Sequence, residues 1–282
     1  MRLATVIEDG LPAVAVVVDS RCVLLDIPDA AMRSVRGIAG SGPAGLERIS
    51  AWLEEQPQRA FRSLDAVEFG PVVPDPGAIY TIWRNYADPG DPGDALPDRP
   101  MVLGKLPSSV SGHRSIVSWD RVLTTNVDAE VELGVVIGAS ATAVTPATAM
   151  RHVFGYTCIN DMNATDPWLD GDQWLLGKSM TGFCPVGPWV VTGDEIDPRG
   201  LRLGCTIDGI AIQEGNTNQM RYSVAEVISY ISRHVSLRPG DLIATGTPGR
   251  LAGPIGPDRR LQVGDVVTVW IDGIGELTTS MA

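Results

Sequence analysis

Three carboxylates stand out for the chemistry their types and spacing allow. Glu130 and Glu132 flank Val131 at the start of an otherwise apolar run, Glu130–Ile137. Alternate residues of a strand point to one face, so both carboxylates project side by side. Asp161 lies in Ile159-Asn160-Asp161-Met162-Asn163, after a second apolar run. Three carboxylates converging in a low-dielectric cleft repel one another and tend to take up protons, and a divalent cation removes that repulsion. With all-oxygen ligands and no paired His or Cys nearby, Mg2+, Mn2+ or Ca2+ suits them better than zinc. The same spacing also fits an edge strand with two solvated glutamates on its wet face.

A lysine is the next candidate. Gln173-Trp174-Leu175-Leu176-Gly177-Lys178-Ser179 ends in Gly-Lys-Ser, as a phosphate-binding loop does. That loop needs a glycine at position 172, which is Asp; Gly171 is one residue out of register and bulky Trp174 fills the turn. The nucleotide reading fails. Lys178 is left among small and apolar neighbours, able to hold a carboxylate or an enolate, or to serve as a surface charge. Ala244-Thr245-Gly246-Thr247-Pro248-Gly249 offers glycine for close backbone approach and a hydroxyl for an anion, though a plain turn reads the same way.

The elements that position these residues are short strands joined by turns. Glycine (31) and proline (21) punctuate the chain throughout. Ala13–Val18 and Cys22–Leu25 read as a hairpin about Asp19-Ser20-Arg21. Leu46, Ile49, Trp52 and Leu53 recur at helical spacing. Thr145-Pro146 has the order of a helix start, with Met150, Val153 and Phe154 on one face. Ser223-Val224-Ala225-Glu226 is a capping box, opening a helix that Pro239-Gly240 ends. Asp265–Ile271 is a late strand. Residues 87–100 hold four prolines and read as a loop. The Pro71–Pro76 passage divides a small N-terminal domain, residues 1–73, from residues 74–282.

Composition narrows the function classes. The chain has 282 residues, 44% hydrophobic and 20% charged, which is too apolar for a disordered polymer. A net charge of −12, with no block of Lys or Arg, opposes nucleic-acid binding. The longest apolar stretch, Leu11–Val18, is far below the ~20 residues that span a bilayer. Glu8 and Asp9 interrupt the place of a signal-peptide core, so the expected location is cytoplasmic. Cys22, Cys158, Cys184 and Cys205 are too scattered for a zinc ribbon or a disulfide scaffold and read as reduced, mostly buried thiols.

Taken in order, these segments resemble the fumarylacetoacetate hydrolase family, from about Ile82 to Leu277. The likeness is carried by Arg84-Asn85-Tyr86, Lys105 with Ser108-Ser109, Asp128-Ala129-Glu130-Val131-Glu132-Leu133 and Gly155-Tyr156-Thr157 with Asn160-Asp161. It continues through Gln173-Trp174, Gly177-Lys178-Ser179, Phe183-Cys184-Pro185, Gly187-Pro188-Trp189, Gly215-Asn216-Thr217, Ser223-Val224-Ala225-Glu226 and Ala244-Thr245-Gly246-Thr247-Pro248. The resemblance implies a β-rich α+β protein: a catalytic domain of mixed, curled β-sheets forming a sandwich roll, a small N-terminal α/β domain, and assembly as a homodimer. It implies a metal-dependent hydrolase or lyase that acts on a C–C bond of a small anionic 2-oxo or 1,3-diketo acid through a metal-stabilised enolate. Mg2+ or Mn2+ then falls to Glu130, Glu132 and Asp161, the family lysine to Lys178, and substrate contacts to Arg84, Tyr86, Gln173 and Thr247.

One element departs. Hydrolysing members read Asn-Tyr-x-x-His with an acid three residues on, the pair that activates water. Here Pro89 and Pro92 occupy those positions, and proline cannot take a proton. Asp88, Asp91 and Asp94 lie in the same loop, and His113 lies in another; Asp88, Asp91 or His113 is the candidate substitute base. The alternatives need no activated water: a decarboxylase, keto–enol tautomerase, isomerase or hydratase on the same substrates, or an inactive metal- and ligand-binding module.

Overall fold

The apolar run containing Glu132 forms a strand buried along its whole length, and two sheets are arranged around it. The computed structural model describes residues 1–87, 96–166 and 173–282. Asp88, Asp91 and Asp94, with Pro89 and Pro92, lie outside the described residues. The chain begins with β1 (Arg2–Glu8), β2 (Leu11–Val18) and β3 (Arg21–Leu24), the expected hairpin extended by one strand. Helices α1 (Val35–Gly40) and α2 (Gly42–Glu54) follow, then β4 (Arg62–Ser63) and β5 (Glu68–Phe69). Next come β6 (Ile79–Trp83), β7 (Met101–Lys105), β8 (Val110–Ser111), β9 (Ser115–Val117), β10 (Val127–Asp128) and β11 (Val131–Ile137).

Beyond β11, a single turn of helix, α3 (Pro146–Ala149), leads through a 3-10 turn to β12 (Val153–Asn160) and β13 (Asn163–Ala164). The helix expected from Thr145-Pro146 is therefore shorter than its apolar spacing suggested. Val153 and Phe154 belong to the strand. Helix α4 (Trp174–Lys178), β14 (Cys184–Thr192), β15 (Arg202–Ile207) and β16 (Ile210–Asn216) come next. The chain closes with α5 (Val224–Ser232), β17 (Leu242–Ala244), β18 (Val266–Ile271) and β19 (Gly275–Met281). The capping box of α5 forms as read, Ser223 and Glu226 satisfying each other's backbone N–H.

The larger sheet runs β4-β3-β2-β1-β14-β12-β11-β17-β6-β7, and the smaller β16-β15-β18-β19-β9. Residues Val131, Leu133, Val135 and Ile137 of β11 enter a core shared with Leu203, Val269 and Leu277 of the smaller sheet and Val227 of α5. The opposite face, at Val136, joins Ile79, Ile159, Val190 and Leu242 in a second core covered by Val35 and Ile38 of α1 and Ile49 of α2. Strand parity puts Glu132 on this second face.

The expectation of curled sheets in a roll is corrected by this topology. Among the described residues neither strand order closes on itself, and no sheet is closed or strongly curled. What holds is the β-rich α+β class with several mixed sheets. The resemblance implied a rolled domain, but among the described residues β4 and β7 end the larger sheet, and β16 and β9 the smaller, without pairing with each other. Residues 1–73 supply strands to the same sheet as the rest, through β1 against β14. All four cysteines are free and buried. No helix among the described residues is long and apolar enough to cross a membrane.

Strands β12 and β14 approach closely at Gly155, where an added Cβ would lie 2.2 Å from the Val191 carbonyl oxygen. Gly155→Ala must push the two strands apart, and urea unfolding should show a loss near the upper end of the overpacking range, about 3 kcal/mol. An unchanged midpoint would contradict this packing.

Candidate metal centre

The register of β11 on β12 builds the site. Val131 pairs with Asn160 and Glu132 with Ile159, so Glu130 and Asp161 emerge together just past the paired residues. The Asp161 N–H donates to the Glu130 carbonyl at 2.9 Å, and the Glu130 N–H donates to Asn160 Oδ1 at 3.1 Å. One oxygen from each of Glu130, Glu132 and Asp161 lies within 4.8 Å of the others. The three residues singled out in the sequence thus come together. Glu132 is 2% exposed and Asp161 1%, whereas the Glu130 side chain keeps 27%, so solvent reaches the cluster past Glu130.

Two ammonium groups enclose Asp161. Lys178 Nζ donates to its Oδ2 at 2.6 Å and lies 3.4 Å from Glu130 Oε2. Lys105 Nζ donates to Oδ1 at 2.6 Å and to the Met162 carbonyl at 2.8 Å. Lys178 is buried, not a surface charge. Lys105 is the member sequence reasoning missed: it belongs to a segment that carries the resemblance, but nothing in its spacing ties it to a carboxylate 56 residues on.

The protonation pattern follows from burial and charge. Burial raises Asp161, but Lys105 and Lys178 outweigh it and hold the carboxyl below its usual range. Glu130 is pushed up to about 7, by burial first, with Lys178 opposing and the Asp161 and Asp128 charges adding. Glu132 is also raised, again by burial first, then by Asp161 and Glu130, although Lys178 and the Gly246 N–H, which bonds its Oε2 at 2.6 Å, oppose this. Burial lowers Lys178, yet Asp161 and Glu130 reverse this and leave it raised, so it stays an ammonium. Cys184 is also close, but burial pushes it up to about 12, which leaves an inert thiol.

The surrounding loops are tied to this frame. Gly246 has φ +97°, and a Cβ there would lie 2.6 Å from Asn85 Cβ, so glycine is required for its N–H to reach Glu132. Buried Asn85 donates through Nδ2 to the Thr245 carbonyl at 2.7 Å and the Tyr222 carbonyl at 3.0 Å. Gln213 Oε1 accepts from the Val131 N–H at 2.9 Å, while its Nε2 donates to Thr247 Oγ1 at 2.8 Å. Thr247 therefore answers to the residue between the two glutamates.

The remaining candidates divide. Tyr86 is 3% exposed, its hydroxyl has no hydrogen-bond partner among the described residues, and its phenol is raised by burial and by the Glu132 charge. An orphaned buried hydroxyl beside the carboxylates, with the all-oxygen donor set, fits a site built for a divalent cation and an oxygen-rich ligand. Arg84 adopts φ +52° next to Trp83, and Gln173 is exposed at the start of α4. His113 is not brought to the cluster. Its Nδ1 accepts from the Thr278 N–H at 3.1 Å, its ring meets Phe69 edge-on, and burial, with Arg114, lowers its pKa to about 4. A wide cleft of about 1160 Å³ opens between α2 and the 193–198 loop, but none of the candidate residues lines it.

Comparison with known proteins agrees with this geometry. The family described as Fumarylacetoacetate (FAA) hydrolase C-terminal matches residues 78–282. An uncharacterized protein of Staphylococcus aureus (strain USA300) is 38% identical over 221 residues, 78% of this chain and 74% of the relative. Fumarylacetoacetate hydrolase from psychrophilic Exiguobacterium antarcticum superposes with a TM-score of 0.85 at 30% identity, over 100% of this chain and 99% of that one. Maleylpyruvate hydrolase from Sphingobium sp. SYK-6, solved with manganese(II) and pyruvate, gives a TM-score of 0.81 at 26% identity, over 100% and 99%.

Stability should report on the cluster. The Glu130 carboxyl rises from 4.5 to about 7 on folding, so its contribution to stability is full below about pH 4.5 and is lost as pH rises through 7. A divalent cation competes with that proton. Melting temperatures with and without Mg2+ or Mn2+ should therefore differ more at pH 8 than at pH 5.5. An equal shift at both values, or none, would contradict the protonation pattern.

Proposed function

The chain belongs to the fumarylacetoacetate hydrolase family, and on that premise we propose that it is a metal-dependent hydrolase or lyase cleaving a C–C bond of a small anionic 2-oxo or 1,3-diketo acid. The observation that carries this reading is the convergence of Glu130, Glu132 and Asp161 within 4.8 Å beneath two buried ammonium groups. The manganese and pyruvate in the Sphingobium hydrolase support both the cation and the substrate class. Glu130, Glu132 and Asp161 would hold Mg2+ or Mn2+, with Ca2+ a further candidate. Bound there, the ion supplies Lewis-acid polarisation of the substrate's oxygens.

The chain's own residues do the rest. Lys178 remains protonated, so it acts as a hydrogen-bond donor to the carbonyl oxygen that gains negative charge as the adjacent bond breaks, not as a base. Lys105 positions Asp161 and leaves Lys178 as the cation facing Glu130. Tyr86 offers a free hydroxyl to a substrate oxygen, and Arg84, Gln173 and Thr247 are the further substrate contacts. The site works within residues 74–282, with residues 1–73 as a small N-terminal domain, in a cytoplasmic homodimer.

A second reading rests on Pro89, which stands where water-activating members carry histidine, while His113 is engaged by Phe69 and Thr278. Decarboxylation, keto–enol tautomerisation, isomerisation or hydration of the same acids needs no such histidine. Purified protein should be offered acylpyruvates, oxaloacetate and unsaturated 2-oxo diacids with and without chelator, following both cleavage and C3 exchange in deuterated water. Cleavage that chelator abolishes supports the first reading; exchange or CO2 loss without cleavage supports the second. Lys178→Ala should lower kcat by roughly 100-fold or more. Glu132→Gln should weaken Mn2+ binding in calorimetry by at least about tenfold. Unaltered metal binding in Glu132→Gln would displace the site.

A further inference from the structure

Two half-exposed tryptophans meet where the two walls of the site come together. Trp83 ends β6 and is 40% exposed; Trp174 opens α4 and is 37% exposed; their ring centroids are 6.3 Å apart. Met101, paired directly with Trp83 across β6 and β7, is 42% exposed beside them. The ring contact and the strand pairing make the three side chains one contiguous apolar patch.

Both tryptophans lie on chain segments that also hold the carboxylate cluster. Trp174 precedes Lys178 by four residues on one short helix, so the two side chains share a face, and Lys178 reaches Asp161 and Glu130 from it. On the other wall, the chain on either side of Trp83 packs against Gly246: a Cβ on that glycine would lie 2.6 Å from Asn85 Cβ and 3.0 Å from the Ile82 carbonyl oxygen. Gly246 in turn holds Glu132. The aromatic pair thus joins the wall that fixes Lys178 to the wall that fixes Glu132.

We propose that Trp83 and Trp174, with Met101, form the platform that receives the distal substituent of the substrate, so that the enzyme favours 2,4-dioxo acids ending in an alkyl or aryl group over those ending in a second carboxylate. This rests on the proposed function and adds to it the chemistry of the end remote from the reacting oxygens. Apolar surface beside a charged cluster binds a ligand with one charged and one apolar end, each methylene buried adding a several-fold gain in affinity. Indole rings also stack on aryl groups without needing a partner charge.

The test uses the full chain loaded with Mn2+ and a series of 2,4-dioxo acids whose acyl end is methyl, pentyl, phenyl or a carboxylate-terminated chain. The pentyl and phenyl compounds should exceed the methyl and carboxylate-terminated ones in kcat/KM by roughly tenfold. In Trp83→Ala and Trp174→Ala that ratio should collapse toward one, mainly through KM, and Trp174→Phe should restore it for the phenyl compound. Preference for the carboxylate-terminated acid, or an equal fall for every substrate in both variants, would overturn the platform. So would sedimentation showing that either variant dissociates a native dimer, since the patch would then face a second copy. If no 2-oxo acid is turned over by the unaltered protein, the proposed function itself fails. If the proteins with alanine at these positions do not fold, the substrate series on the unaltered enzyme and Trp174→Phe still decides.

Discussion

Mutual repulsion among three buried carboxylates is the constraint that the site must satisfy. In a low-dielectric interior such groups either take up protons or acquire cations. Here the two solutions are divided between residues. Asp161 is ionised because each of its oxygens meets an ammonium, whereas Glu130 and Glu132, with less compensation, are raised. With all three ionised, three negative charges would face two ammonium groups, an excess of one that a divalent ion would offset. The lysines also differ in freedom. Lys105 is fixed by two hydrogen bonds to Asp161 and Met162, while Lys178 contacts Glu130 loosely, on the side that solvent reaches.

The frame that maintains this arrangement is mostly main chain. Strand pairing of β11 with β12 fixes where Glu130 and Asp161 emerge, and the Gly246 N–H fixes Glu132. Two buried amides then lock the flanking loops to it: Asn85 joins the Thr245 and Tyr222 carbonyls, and Gln213 joins Val131 to Thr247. Losing either amide would strand buried carbonyl and N–H groups, each costing about 1–3 kcal/mol. The loops at residues 85, 222 and 245–248 are thereby coupled to the strand that carries Glu132.

The carboxylates were half legible in the sequence: the spacing of Glu130 and Glu132 suits a solvated edge strand equally well, the resemblance is what assigned them to a metal, and Glu130 lies just before β11 rather than in it. The α5 capping box and the first hairpin were legible for local reasons. Other features depend on contacts distant in sequence. Lys105 reaches Asp161 across 56 positions, and no spacing rule identifies such a pair. The apolar spacing after Pro146 suggested a longer helix because Val153 and Phe154 are buried, but they are buried as strand residues pairing with β11 and β14. Sheet closure is likewise a property of which edges meet, and the edges here stay apart.

The anchor on Glu132 has one more consequence. Its donor is the peptide N–H of Gly246, whose left-handed turn requires glycine, so no side chain at the rim supplies it. Changes at Trp83, Trp174 or Met101 alter the rim without removing the donor, because Thr245 and Thr247 on either side of it are held by Leu133, Asn85 and Gln213 instead. On the proposed reading, a frame of this kind would let ligand preference drift by single substitutions at its edge while the ionic centre keeps its shape, which would make the scaffold a good starting point for directed change of substrate range.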